Sequence, residues 1–189
     1  MTVSYALTRE ISLSRTHVKM LGVFVFVVLL SVSAYIRIPL WFTPVPMTLQ
    51  TLFVLLCSVA LKRNYAPLAV GSYILLGALG APVFQGYNHG ITYLFGATGG
   101  YLLGFFVCSL IVGHLITVDR VKRNRFLILG SLLLGQISIY FFGVSWLMVL
   151  LGITVQKALA WGVMPFIPGA IFKLGIAYAS YKKIFSKYE

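Results

Sequence analysis

Lys173 makes the strongest chemical demand in this sequence. Pro165 and the Pro168-Gly169 pair break the chain just before it and place it in the first turns of an apolar helix. At that depth in a bilayer an ionised amine needs a partner or water, so the residue reads as a ligand-binding group. Two other cations, Arg37 and Lys157, also stand apart from the basic clusters, and each can equally well snorkel to lipid headgroups. Gln50, Asn88, Thr98 and Gln156 add neutral donors and acceptors in the same half of the chain's map. This inventory suits an anionic small molecule with amide-like groups.

The groups that are missing narrow the chemistry further. All three acids, Glu10, Asp119 and Glu189, fall on the opposite side from those residues, so the apolar body holds no carboxylate side chain. A proton relay usually needs Asp, Glu or His within the membrane, and His89 is the one histidine near the polar half. Proton-coupled transport is poorly served. There is no G-x-x-x-x-G-K-[ST] loop, no H-E-x-x-H, no paired carboxylates and no Cys or His at metal-ligand spacing. The chain is expected not to be an enzyme and to carry no cofactor or metal. Gly96, Gly100 and Gly104 recur every fourth residue, which suits close helix approach; Gly96 to Gly100 could also bring backbone N–H groups to a ligand.

The elements that must position these residues are transmembrane helices. Of 189 residues 60% are hydrophobic and 10% charged, and the mean hydropathy is +0.97, a balance no soluble domain of this size needs. Apolar runs at Met20–Ile36, Met47–Leu61, Ala66–Gly80, Tyr93–Val118, Phe126–Phe142 and Ile167–Tyr181 predict six spans in one all-α domain covering 1–189. Cys57 and Cys108 lie inside apolar runs and read as packing residues. The first run follows Arg9, Arg15 and Lys19 in the manner of a signal peptide, but it leads into a Pro-rich turn and is expected to stay as a helix.

Charge sets the orientation. With the N-terminus in the cytoplasm, Arg9, Arg15, Lys19, Lys62, Arg63, Arg120, Lys122, Arg123, Arg125, Lys182, Lys183 and Lys187 all fall inside. The net charge of +12 is therefore topological and does not point to nucleic acid, and both termini are expected to be cytoplasmic. The outer connections, 37–46, 81–92 and 143–166, are rich in Pro, Gly and aromatic residues. They suit binding loops, although Trp41, Tyr87, Trp146 and Trp161 can also serve as an interfacial belt.

Residues 37–51, RIPLWFTPVPMTLQT, closely resemble the IPLPFTPVPITLQT stretch of the biotin-binding S component of energy-coupling factor transporters. Further matches follow in order: Gly77 to Phe84, Thr98 to Leu102, and Pro165 to Gly169 with Lys173. The resemblance implies a six-helix subunit of a prokaryotic cell membrane that captures biotin outside and works with a transmembrane coupling subunit and two ATPases. It implies a pocket drawn from Thr43, Gln50, Asn88, Tyr93, Thr98, Gly99, Gly100 and Lys173. The family pattern near the last helix is P-F-x-P-G-D-x-x-K, and Ala170 stands at the aspartate position. That removes a polar contact and the expected counter-ion of Lys173. The A-x-x-x-A stripe that packs such subunits on their partner is only loosely matched, by Val27, Val28, Ser31 and Ala34. A stand-alone facilitator and a ligand-free membrane scaffold are the alternatives.

Overall fold

The computed structural model describes residues 2–122 and 124–185, with side chains described between Thr16 and Lys183. Arg123, Lys187 and Glu189 lie outside the described residues, as do the side chains of Arg9, Glu10 and Arg15. The architecture is all-α. Helix α1 (Thr2–Tyr35) leads into a two-stranded hairpin, β1 (Arg37–Ile38) and β2 (Met47–Thr48), antiparallel with Arg37 opposite Thr48. There follow α2 (Gln50–Ala78), α3 (Ile91–Leu94), α4 (Gly99–Leu115), α5 (Asp119–Lys122), α6 (Arg125–Leu151), α7 (Val155–Gly162) and α8 (Ile167–Phe185). Thr16–Tyr35, Gln50–Ala78, Arg125–Leu151 and Val155–Lys183 are long and apolar enough to cross a membrane, and Gly99–Leu115 is a shorter apolar helix.

Helix α2 is not one rod. Lys62 has φ 62° and ψ −160°, and the Gln50 amide donates to the Tyr73 hydroxyl at 2.7 Å. In a straight helix those two residues would stand roughly 35 Å apart at 1.5 Å per residue. The chain therefore doubles back at Lys62 into arms 50–61 and 63–78, which matches the two spans read on either side of the Lys62-Arg63 pair. Gly113 of α4 seats the turn, because a Cβ there would come within 2.9 Å of the Lys62 carbonyl oxygen.

Two expected boundaries move. The fourth run does not begin as a membrane helix at Tyr93: α3 is a separate turn, and α4 starts at Gly99. The fifth run, expected to end at Phe142, continues to Leu151 and stops where Gly152 adopts φ 61°. Gly143 lies inside that helix because the Tyr101 ring fills the space its side chain would occupy, with Cε1 2.4 Å from an added Cβ. Val144 and Leu147 are buried beyond it, so apolar packing overrides the loop-like composition.

α4 packs between the α2 arms and α6, with α1 on α2 and α8 against α2 and α6. Val54, Val70, Phe105, Cys108, Val112, Leu132 and Ile139 form the centre of the core. The outward faces are apolar too: Phe24, Leu133, Phe141 and Phe172 are exposed. A helix apolar on every side belongs in lipid or in the middle of a large core, and here the bilayer is the outer solvent.

Candidate functional site

Lys173 is buried, as a group with a specific task must be if it lies away from water. Its Nζ donates to the Thr48 carbonyl oxygen at 2.6 Å and to the Thr51 Oγ1 at 2.8 Å. Both acceptors exist because the β1–β2 hairpin ends at Thr48 and α2 begins two residues later, leaving a strand-end carbonyl aimed at α8. An ammonium has three donors, so one N–H remains for the cavity that Lys173 lines.

Gln50 forms the neighbouring polar group. It donates to the Tyr73 hydroxyl at 2.7 Å and its Oε1 accepts from Thr48 Oγ1 at 3.3 Å, while the Tyr73 hydroxyl donates to the Val83 carbonyl oxygen. The cavity has Thr48, Gln50, Thr51, Thr98 and Lys173 on its polar side. Val45, Phe105, Ile139 and Phe166 add apolar lining, and Tyr101 and Tyr140 line it as well. Its free space is about 60 Å³. That holds a few waters and is smaller than a bicyclic vitamin.

Ala170 lies on the wall one turn before Lys173, on the same face of α8. No carboxylate is described at this end of the site. The acids of the sequence are Glu10, Asp119 and Glu189, and Asp119 pairs with Lys122 at 2.8 Å.

Of the residues singled out in the sequence, the fold brings Gln50, Thr98, Ala170 and Lys173 together in this cavity. Tyr93 stands behind it, its ring stacked on Phe84 at 4.8 Å and its hydroxyl beside Thr98 and Gln85. Thr43 does not line the wall but ties the outer loop down, donating to the Trp161 carbonyl oxygen at 3.0 Å. Tyr101 makes a parallel tie to the Gly162 carbonyl oxygen at 2.9 Å, so two hydroxyls hold the end of α7 to the hairpin loop and to α4. Asn88 is exposed and donates to the Gln85 carbonyl oxygen. Arg37 is exposed beside Gly86, Gln156 is exposed on α7, and the Lys157 ammonium lies over the Trp161 ring at 4.5 Å.

Gly99 and Gly100 line a different space. A Cβ on Gly100 would meet Trp146 Cβ at 2.2 Å and the Phe142 carbonyl oxygen at 2.5 Å, so this turn of α4 rests directly on α6. With Leu75, Leu103, Phe106 and Trp146 the two glycines border an apolar cavity of about 510 Å³. Sequence reasoning missed Thr51 and Tyr140. Thr51 directly follows Gln50 in the matched stretch, and Tyr140 puts a hydroxyl into an otherwise apolar run, a signal that it needs a polar neighbour.

A bundle of apolar helices that shelters one amine and several amide and hydroxyl groups, with no catalytic constellation beside them among the described residues, defines a membrane protein built to hold a small polar solute. The BioY family model matches residues 7–189, and the chain belongs to that family, one of transporters and not of enzymes. It is 40% identical over 153 residues to the biotin transporter BioY of Thermotoga maritima, covering 81% of this chain and 87% of that protein. It is 39% identical over 152 residues to a probable biotin transporter BioY of Pyrococcus horikoshii, covering 80% and 86%. A crystal structure of the S-component for biotin from an ECF-type ABC transporter shares the fold, with a TM-score of 0.85 and 24% identity over 92% of this chain and 93% of that one.

Proposed function

We propose that the chain is the biotin-binding specificity subunit of an ATP-driven vitamin importer. The observation that carries this reading is Lys173, a buried ammonium with two fixed acceptors and one donor left for a ligand oxygen. Biotin offers carboxylate and ureido oxygens for that donor, ureido N–H groups for neutral acceptors, and an apolar bicycle for the Phe105, Ile139 and Phe166 side. Thr48, Gln50, Thr51, Thr98 and Tyr140 supply the remaining polar contacts, with Thr43, Tyr93 and Asn88 acting from the loops above.

Entry requires the free space to grow. Val45 and Pro46 line it from the hairpin loop, and Thr43 and Tyr101 tie that loop and α4 to the end of α7, so these are the contacts expected to yield as the ligand enters. The chain has no nucleotide-binding loop, so release into the cell falls to a coupling subunit and two ATPases. Six spans with both termini in the cytoplasm of a prokaryotic cell fit the arms of α2 and the inside clustering of Lys and Arg. Cysteines introduced near Asn64 and Asn88 test that orientation. An impermeant reagent applied to intact cells should label only the second.

Purification of the chain in detergent, followed by mass spectrometry of what comes with it, tests the ligand. Stoichiometric biotin is the expected result. A preparation with no biotin, and no binding when biotin is added, would sink the reading.

A further inference from the structure

Gln136 lies on α6 one helical turn before Ile139 and Tyr140, two wall residues of the Lys173 cavity. Residues three and four apart share a helix face, so Gln136 sits directly beneath that wall. Only 3% of it is exposed, and its carbonyl oxygen Oε1 has no hydrogen-bond partner. Its side chain does meet the Tyr140 hydroxyl, so the amide nitrogen faces the phenol and the oxygen is left over. A buried carbonyl without a partner is costly, and one inside a lipid-embedded bundle calls for a reason.

Several acceptors on the cavity wall are already engaged. Gln50 Oε1 accepts from Thr48, and the Thr48 carbonyl and Thr51 hydroxyl accept from Lys173. The second unpaired carbonyl among the described side chains, Gln85 Oε1, belongs to the outer loop and not to the cavity wall. Beside the Tyr140 hydroxyl the wall next to Gln136 is carried by Ile139, which gives a lone water few further partners. What fits is a donor carried in on an apolar frame.

We propose that Gln136 forms the deep end of the ligand site, its side-chain carbonyl accepting an N–H from the ureido ring of the ligand. The proposal rests on biotin being the ligand. It also gives the direction in which the small free space opens, downward along α6 from Tyr140. A neutral amide there takes an N–H without the desolvation cost of a buried carboxylate.

Calorimetry on detergent-purified protein tests this with three ligands: biotin and the two cyclic carbamates in which one ureido N–H is replaced by an isosteric oxygen. Gln136→Met should weaken biotin about tenfold, the size of one hydrogen bond. For one carbamate, the one that lacks the paired N–H, the same substitution should cause no further loss. Gln136→Leu repeats the test with a second apolar side chain. Unchanged biotin affinity, or equal losses for all three ligands, would overturn the proposal while leaving biotin binding intact. If the unsubstituted protein binds no biotin, the functional reading falls and this proposal falls with it.

Discussion

The molecule has two internal spaces of opposite character. The cavity lined by Lys173 is small, about 60 Å³, and seven polar residues line it. The cavity beside Gly99, Gly100 and Trp146 is larger, about 510 Å³, and its walls are almost wholly apolar. Volume alone would choose the second. Polar convergence chooses the first, because recognition of a small molecule depends on a few placed donors and acceptors within an apolar lining. In a bilayer an open apolar recess is solvated by lipid tails and needs no ligand, whereas a buried ammonium with one unused donor does. The residues that line the first space come from β2, α2, α4, α6 and α8, so it exists only when the bundle is assembled.

If this contrast is right, changes beneath Lys173 should alter affinity and changes beside Gly100 should alter stability. The largest effect is expected for Lys173→Met, which keeps the volume and removes the charge. Biotin affinity should fall a hundredfold or more, since a charge-assisted hydrogen bond contributes about 1.5–3 kcal/mol and Thr48 and Thr51 lose their donor as well. Calorimetry measures it, and a loss below threefold would mean that the amine only ties α8 to α2.

The next effect has the opposite sign. Ala170→Asp places a carboxylate one turn before Lys173, and biotin binding should tighten by up to about tenfold to a hundredfold, the size of one charge-assisted bond before the cost of desolvating the acid. Equal affinity in the two forms would leave position 170 as packing.

A smaller effect on affinity is expected for Gly100→Ala. Its Cβ would collide with Trp146 and with the Phe142 backbone, and overpacking of this kind costs about 1–3 kcal/mol. The melting temperature in detergent should drop by several degrees while the folded protein binds biotin within threefold of the parent. A large affinity loss with no change in melting would instead place Gly100 at the ligand.

The membrane class and most helices were legible in the sequence, because an apolar run has few alternatives to a spanning helix. The doubling of α2 was legible for the same reason: Lys62 and Arg63 interrupt the run where charge must leave the membrane. The stretch from Gly143 to Leu151 was not. Its Gly and Trp suggest a loop, but Gly143 admits the Tyr101 ring and Trp146 donates to the Gly96 carbonyl oxygen, contacts no local pattern contains.

The site divides similarly. Lys173 and Gln50 stand out because an amine or amide in an apolar run demands partners. Thr51, Tyr140 and Gln136 do not stand out, since an isolated polar residue in a membrane helix is often satisfied by its own backbone. Ser58 bonds the Val54 carbonyl oxygen and Ser131 that of Leu127 in just this way, both at 2.7 Å. Nothing local separates those from residues that face a cavity.

The most direct test asks which space the ligand fills. Ala170→Cys puts a thiol on the wall beneath Lys173, and Leu103→Cys puts one on the apolar cavity, while the native Cys57 and Cys108 are fully buried. Each protein is treated with a small thiol reagent with and without saturating biotin, and the labelling rates are compared. Biotin should slow labelling at residue 170 at least tenfold and leave residue 103 unchanged; protection at 103 without protection at 170 would contradict the assignment of the polar cavity as the biotin site.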